Sequence, residues 1–130
     1  MGKYSLKKSE HLRKNSDFRR VYSKGKSCAD HFIVLFVLPN DLGRNRIGLS
    51  VSKKIGKAVK RNRVKRLFRE VYRLNKDKLI QGFDLIFLAR KDVVKLDFPK
   101  MERSILRLYK RAKILKPQAA GSRLQNKLEA

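Results

Sequence analysis

A strongly basic segment near the middle of the chain carries a helical repeat of apolar residues. The run KKIGKAVKRNRVKRLFREVYR extends from Lys53 to Arg73 and contains a single acid, Glu70. At about 100° per residue, its apolar side chains share one arc of a helix. That arc comprises Val64, Leu67, Phe68, Val71 and Leu74. The spacing therefore predicts a helix from about Lys57 to Asn75 that packs one face on a core and presents the other to a polyanion.

The polar face of this predicted helix favours nucleic acid over a merely solvated surface. From Arg61 to Arg73, arginine outnumbers lysine. A guanidinium binds phosphate oxygens in a bidentate way and stacks on bases, whereas lysine acts as a point charge. A solvated face is the usual interpretation of a charge run, but charge density and the choice of arginine favour nucleic acid here. The residues opposite the apolar arc are Asn62, Arg66, Arg69 and Arg73.

The charge of the whole chain indicates a permanently anionic partner. The 130 residues suit one domain and carry a net charge of +24, far above what solubility requires. This charge points to RNA, DNA or an acidic membrane surface. Membrane spanning is not expected, because the longest apolar stretch, Phe32 to Pro39, is far shorter than the ~20 residues that a bilayer helix needs. Residues 1–15 also lack the apolar region of a secretory signal, so we predict a cytoplasmic protein.

Turn residues in the first part of the chain predict a short helix and a β-hairpin. Asn15 or Ser16 is suited to cap the helix, and Gly25 to end it in the left-handed conformation. Residues 31–38 and 46–52 have the composition of two strands, with turn-forming residues between them. We expect these two strands to pair with each other.

The second part of the chain adds a helix, a strand and a final helix. Phe83 to Ala89 is apolar apart from Asp84, which predicts a strand buried on much of both faces and central in the sheet. Pro99 fits the first turn of the last helix, and Pro117 is expected to stop it. The order helix, strand, strand, helix, strand, helix predicts an α+β sandwich whose βαβ crossover is right-handed by default.

The ends of the chain are expected to be less regular than this single domain. Residues 1–12 combine charge with few apolar anchors, which predicts a mobile arm or one laid across the domain. Residues 118–130 contain no apolar stripe wide enough to bury, which predicts a frayed tail.

Side chains that could perform catalysis are poorly arranged in this sequence. No spacing orients His11 and His31, and the acids are scattered without the spacing of metal ligands. Cys28 is the single cysteine, and a small buried side chain is favoured for it over a catalytic thiol. A nuclease that acts through its own groups is therefore disfavoured.

Several aromatic residues could belong either to a core or to a binding groove. Phe18 and Tyr22 lie one helical turn apart, while Phe32, Val34 and Phe36 alternate on one side of a strand. Such residues are usually core. The alternative is a groove in which unstacked bases lie on the rings, each adding ~1–3 kcal/mol. The pattern leaves both interpretations open.

The block RIGLSVSKKIGKAVKRNRVKRLFR, from Arg46 to Arg69, resembles the protein subunit of bacterial ribonuclease P. The hallmark of that family is an arginine-asparagine-arginine motif, which here is Arg61, Asn62 and Arg63. The segments SDFRRVYSKGKS and FDLIFLARK extend the resemblance over most of the chain. It implies an αββαβα two-layer sandwich with a three-stranded core sheet and a left-handed crossover. It also implies that an RNA subunit performs the catalysis, removing the 5′ leader of precursor tRNA with Mg²⁺, while the protein alone binds no cofactor.

The resemblance further implies two binding surfaces. One is the basic helix, which would bind the RNA subunit through Arg61, Asn62, Arg63, Lys65, Arg66 and Arg69, with Arg73 on the same helix. The other is a cleft over the sheet that would hold the leader and would contain Phe18, Tyr22, Phe36, Lys53, Lys54 and Arg90. This assignment places the three aromatics in a cleft and requires no membrane and no obligate protein partner. A ribosomal protein or general RNA chaperone and a protein-only nuclease are the alternatives.

Overall fold

The computed structural model describes residues 6–117, which form three α-helices and one four-stranded sheet. The helices are α1 (Asn15–Lys24), α2 (Ala58–Asn75) and α3 (Phe98–Arg111). The strands are β1 (Lys26–Ala29), β2 (Ile33–Pro39), β3 (Arg46–Ser50) and β4 (Phe83–Ala89). The predicted αββαβα order and the α+β class are confirmed, and β1 adds a short strand to the three that were predicted.

The sheet has the strand order β1-β2-β4-β3, so the predicted hairpin is wrong. β2 pairs antiparallel with β1 and with β4, while β3 pairs parallel with β4. Consecutive residues of β4, Leu85 and Ile86, are both fully buried and point to opposite faces. A strand that is apolar on both faces gains most from an inner position, and β4 therefore separates β2 from β3. The inner position that the sequence predicts for residues 83–89 is confirmed.

β1 was not predicted because its sequence, KSCA, contains no β-branched or aromatic residue. A tight turn at Asp30 joins it to β2. One carboxylate oxygen of Asp30 accepts hydrogen bonds from the backbone N–H groups of Phe32, at 2.8 Å, and Ile33, at 2.9 Å. Because the chain turns there, β2 begins at Ile33 rather than at residue 31, and Phe32 packs against the main core instead of beside Phe36.

The two faces of the sheet are covered unequally. One face packs on α2 and α3 and forms the main core, which includes Ile33, Leu35, Leu85, Phe87, Phe68 and Tyr109. This pair of layers is the expected sandwich. The other face carries α1 and a smaller cluster that comprises Leu12, Val21 and Ile86, with Phe18, Phe36 and Leu38 packed against it. Val34 and Leu88 of this second face remain partly exposed.

The chain before α1 lies across the domain over residues 6–12. Leu12 is buried, and its N–H donates to the carbonyl oxygen of Ile47 in β3 at 2.7 Å. The Lys76 Nζ atom lies 3.1 Å from Glu10 Oε1. Of the two possibilities for the N-terminal arm, these residues follow the second. The first five residues and the expected tail at 118–130 lie outside the described residues.

Two helix ends differ from the sequence prediction. Gly25 has φ −76° and ψ 159°, so it is extended and not left-handed. A Cβ atom at Gly25 would lie 2.5 Å from the Val21 carbonyl oxygen of α1 and 3.0 Å from the Val37 carbonyl oxygen of β2, so glycine allows the end of α1 to approach β2 closely. α3 begins beside Pro99 as predicted but ends at Arg111, before Pro117 is reached. It ends there because Lys113 adopts the left-handed conformation, with φ 61°.

The packed arc of α2 is rotated slightly from the predicted one. Val64, Phe68 and Val71 are fully buried as predicted, whereas Leu74 is 37% exposed. Tyr72 is buried in its place. The unit β3-α2-β4 is the expected βαβ crossover, and its left-handedness remains a prediction from the family resemblance. Within residues 6–117, no helix has the length and apolar character needed to cross a membrane.

Candidate nucleic-acid interface

The outward side of α2 presents a row of polar and cationic side chains, here called the α2 surface and defined as Asn62, Arg66, Arg69 and Arg73. Asn62, Arg66 and Arg69 are exposed. Arg73 is partly buried, and its Nη2 atom lies 2.7 Å from Glu70 Oε2. The buried side of the same helix fixes its orientation on the sheet. Arg66 and Arg69 therefore leave the helix about one turn apart on its exposed side.

The two arginines of the Arg-Asn-Arg motif lie on the flanks of this row. Arg61 Nη1 donates to the carbonyl oxygen of Gly56 at 2.8 Å, which fastens the turn before α2. Arg63 Nη2 donates to the carbonyl oxygen of Leu96 at 3.2 Å. This hydrogen bond connects α2 to the segment before α3. A guanidinium has five N–H donors, so each retains donors for a phosphate. Lys65 is also partly buried, and of the three residues of the Arg-Asn-Arg motif only Asn62 is exposed.

The half-covered face of the sheet forms a second surface, here called the sheet surface and defined by Tyr22, Val34, Phe36 and Leu88. Tyr22 is 37% exposed, and its ring meets that of Phe36 edge to face with centroids 4.9 Å apart. Val34 and Leu88 are paired across β2 and β4 beside them. The sheet surface is therefore an apolar, partly aromatic floor.

Phe18 is more strongly engaged in packing than the other two predicted cleft aromatics. Its ring centroid is 6.4 Å from that of Tyr22. A Cβ atom on Gly48 of β3 would lie 2.6 Å from the tip of the Phe18 ring, so the ring rests directly on the strand backbone. Phe18 thus lies between the sheet surface and the smaller cluster that packs under α1.

The three predicted cleft cations lie beyond one end of the sheet. β3 and β4 are parallel, with Ser50 opposite Leu88, so their carboxyl ends lie at the same edge. Lys53 and Lys54 occupy the short helical turn after β3, and Arg90 follows β4; all three are exposed. Arg90 Nη1 donates to the Asp30 carbonyl oxygen at 2.9 Å, which limits its movement. At about 3.3 Å per residue, this edge lies roughly 13 Å from the level of Phe36.

A buried charge network, which sequence reasoning missed, holds α1 over the sheet. Asp84 is fully buried. Its carboxylate accepts two hydrogen bonds from Arg46, at 2.8 and 2.7 Å, one from Arg20 at 2.7 Å and one from Asn40 at 2.9 Å. Burial alone would raise the pKa of Asp84, but these donors outweigh it and hold the pKa below the ordinary value. Because Arg20 and Tyr22 share α1, the network also positions the aromatic end of the sheet surface.

The network should make folding stability sensitive to acid. A carboxyl whose pKa is lower in the folded state stabilises the protein above its unfolded pKa of about 3.9, and this contribution disappears as pH falls through the folded value. We therefore expect the free energy of unfolding to fall below about pH 4. The Asp84→Asn variant should lose part of that dependence, and Asp41→Asn in an exposed loop should retain all of it. Denaturant unfolding at several pH values measures this, and identical pH profiles for the two variants would contradict it.

The candidate catalytic groups occupy unrelated places. Within residues 6–117, no group of three His, Cys, Asp or Glu side chains could hold a metal ion. His31 lies on the surface beside Asp92, with Nε2 2.5 Å from a carboxylate oxygen. Burial, reinforced by the charges of Arg13 and Arg69, lowers the pKa of His11. Burial also raises the pKa of the Cys28 thiol, which packs beneath α3.

Comparison with known proteins shows the family to which this chain belongs. Residues 6–113 match the family model described as Ribonuclease P. The chain belongs to the ribonuclease P protein family. A ribonuclease P protein component from Natranaerobius thermophilus is 56% identical over 104 residues, which is 80% of this chain and 90% of the relative. Another, from Pelotomaculum thermopropionicum, is 52% identical over 103 residues, covering 79% and 92% of the two chains.

Solved structures of ribonuclease P proteins share the fold. The Staphylococcus aureus RNase P protein, solved at 2.0 Å, superposes with a TM-score of 0.78 at 34% identity, covering 84% of this chain and all of that one. The RNase P protein from Thermotoga maritima gives a TM-score of 0.73 at 35% identity, covering 78% and 96%.

Membership in the ribonuclease P family confirms the resemblance seen in the sequence. The chain is a protein subunit of the ribonucleoprotein that processes the 5′ ends of tRNA, and it associates with the RNA subunit. Ribonuclease P is an endoribonuclease in which catalysis belongs to the RNA. The ribosomal and RNA-chaperone alternative is not favoured. The roles of individual residues on the two surfaces remain predictions.

Proposed function

We propose that the sheet surface binds the single-stranded 5′ leader of precursor tRNA while the α2 surface docks on the RNA subunit of ribonuclease P. In this arrangement two faces of one domain bind two RNAs of the same assembly. The observation that carries the first half is the edge-to-face pair of Tyr22, which is exposed, and Phe36, which is partly buried, on a sheet whose far end bears three cations.

The chemistry of the sheet surface suits an unpaired strand. Unstacked bases gain ~1–3 kcal/mol each by stacking on aromatic rings, without regard to sequence. Lys53, Lys54 and Arg90 supply phosphate-binding groups at one edge. Base-paired RNA buries the faces of its bases, so this surface discriminates in favour of a leader over a helical stem.

The α2 surface suits a structured RNA. Its arginines lie along a helix whose other side is buried, so little backbone freedom remains to be lost on binding. Arg61 and Arg63 flank the row and retain donors, while the exposed Asn62 lies between them at the N-terminal end of the row. Lys65 adds charge to one flank.

We also propose that the Mg²⁺ of the holoenzyme is held by RNA rather than by this protein. Mg²⁺ prefers phosphate oxygens and water to a dedicated protein cage. A small protein with a net charge of +24 favours assembly by neutralising phosphates. Precursor tRNA is the proposed substrate, the cytoplasm is the proposed site of action, and no further protein partner is required by the two surfaces.

Truncating an aromatic of the sheet surface tests the proposal. Tyr22→Ala should weaken binding of precursor tRNA to the assembled holoenzyme by ~1–3 kcal/mol, because one stacking platform is lost. Binding of mature tRNA, which has no leader, should be unchanged. Fluorescence titrations with both RNAs measure the difference.

Leu42→Ala is the matched control for Tyr22→Ala. Leu42 is 43% exposed and lies in the loop between β2 and β3, away from the proposed leader path. Truncation of Leu42 should change the binding of neither precursor tRNA nor mature tRNA. Equal weakening of both RNAs by Tyr22→Ala, or a leader-specific effect of Leu42→Ala, would refute leader binding at this surface.

A further inference from the structure

A cleft of about 430 Å³ lies where the chain leaves α3 and passes the ends of β1 and β2. Its volume is within the range of small-ligand sites. The cationic residues that line it are Lys24, Lys26, Arg111 and Lys113, and its lining includes no acid. We call it the edge cleft.

The edge cleft is separate from the sheet surface. Ser27 of β1 is paired with Phe36, which belongs to the sheet surface. Cys28 and Val37 are the next residues along their strands, so they face the opposite side of the sheet. The edge cleft is lined by Cys28 and Val37 as well as by Ser27, so it extends around the edge of the sheet. None of the four residues that define the sheet surface lines the edge cleft, so a ligand in the cleft lies beside that surface and not on it.

An aromatic ring lies within reach of a ligand in the cleft. Phe83, the first residue of β4, is only partly buried and contributes to the lining. Its ring also packs against the main core, which holds it in place at the cleft. Arg111 is already oriented, because its Nη1 atom donates to the Ala29 carbonyl oxygen at 2.8 Å.

The backbone at Lys113 is unusual for a lysine. The N–H of Lys113 donates to Lys110, and that of Ile114 donates to Tyr109, which together form a Schellman ending of α3. The left-handed position of this motif is normally glycine or asparagine. Here, with φ 61°, it carries a long cation that lines the cleft. Unfavourable backbone geometry of this kind concentrates at binding sites.

We propose that the edge cleft binds one nucleotide of single-stranded RNA, with the base against Phe83 and the phosphate between Lys113 and the neighbouring cations. An aromatic face beside a group of cations is the combination that sequence-independent binding of single strands uses. This site goes beyond the proposed leader and RNA-subunit contacts and gives the protein a third contact with RNA.

Photo-cross-linking of the full chain locates the site. A short oligouridylate that contains 5-iodouridine is irradiated with the protein, and the cross-linked peptides are identified by mass spectrometry. We expect a cross-link on the peptide that contains Phe83, in addition to those with Tyr22 and Phe36. Cross-links confined to Tyr22 and Phe36 would overturn the proposal.

Substitution of Lys113 tests the contribution of the cation. Lys113→Gly should weaken oligouridylate binding about fourfold at 0.15 M salt and lower the slope of log affinity against log salt by ~0.7, since one phosphate contact is lost. Its melting temperature should equal or exceed that of the unchanged protein, because glycine accepts the left-handed backbone.

Lys113→Arg is the matched control, because it keeps the charge on the same backbone, and it should retain the affinity. Unchanged RNA binding by Lys113→Gly would overturn the proposal, and so would equal weakening by both variants. If Lys113→Gly instead loses binding only to vesicles that contain phosphatidylglycerol, the cleft binds a membrane surface and the RNA proposal fails.

Discussion

Replacing Arg46 with methionine should lower the free energy of unfolding by about 3 kcal/mol or more. The substitution removes both hydrogen bonds of the guanidinium fork to Asp84, whose side chain is fully buried. A buried carboxylate that loses a charged partner retains its desolvation penalty. For a domain of this size, the melting temperature should fall by roughly 10 °C, which differential scanning calorimetry measures.

Arg44→Met provides the comparison for Arg46→Met. Arg44 lies two residues earlier and is exposed, and its guanidinium donates a hydrogen bond of 3.3 Å to the Ser9 carbonyl oxygen. Its substitution should change the free energy of unfolding by no more than about 0.5 kcal/mol. Adding Asp84→Asn to Arg46→Met should recover part of the loss, because the buried charge is then removed. Equal effects of Arg46→Met and Arg44→Met would show that the network does not stabilise the fold.

Removing two guanidinium groups from the α2 surface should produce the largest binding defect. The double variant Arg66→Ala and Arg69→Ala should lower the slope of log affinity for the RNA subunit against log salt by ~1.4–1.8, since each lost phosphate contact removes ~0.7–0.9. At 0.15 M salt this corresponds to roughly 15- to 30-fold weaker binding. Filter-binding titrations across a salt series measure both quantities.

The double variant of α3, Lys100→Ala and Arg103→Ala, removes the same charge from another exposed helix face. It should change the salt slope much less than the α2 variant, and both proteins should melt at the same temperature because all four side chains are exposed. Similar salt slopes for the two variants would mean that RNA binding depends only on the total charge of the protein and not on the α2 surface.

Periodicity predicted the local elements of this protein better than their pairing. α2 and α3 occur where apolar spacing and Pro99 placed them, because a helical stripe is encoded within a few turns. The neighbours of β4 could not be read in the same way, since a strand that is apolar on both faces specifies an inner position but not which strands flank it. β1 escaped detection because its pairing with β2 depends on the turn at Asp30 and not on strand composition.

The candidate surfaces were predictable in residue type and less so in orientation. Arg61 and Arg63 belong to one motif, yet each turns to a different backbone carbonyl. The position of Phe18 against Gly48 depends on a tertiary contact that no spacing reveals. Asp84 did carry a signal, because a lone carboxylate within an apolar strand requires compensating donors. Those donors come from α1, from β3 and from the residue after β2, so only the fold identifies them.

The inner position of β4 also determines when this chain can fold. β4 is synthesised after both of the strands it joins and after α2, so the sheet cannot close until residue 89 has left the ribosome, a matter of seconds at ~5–20 residues per second. Pairings between strands distant in sequence are slow to form. During that interval β2 exposes its apolar residues and α2 has no sheet on which to pack. Repulsion among the cations of the nascent chain opposes its collapse until salt or RNA phosphates neutralise them.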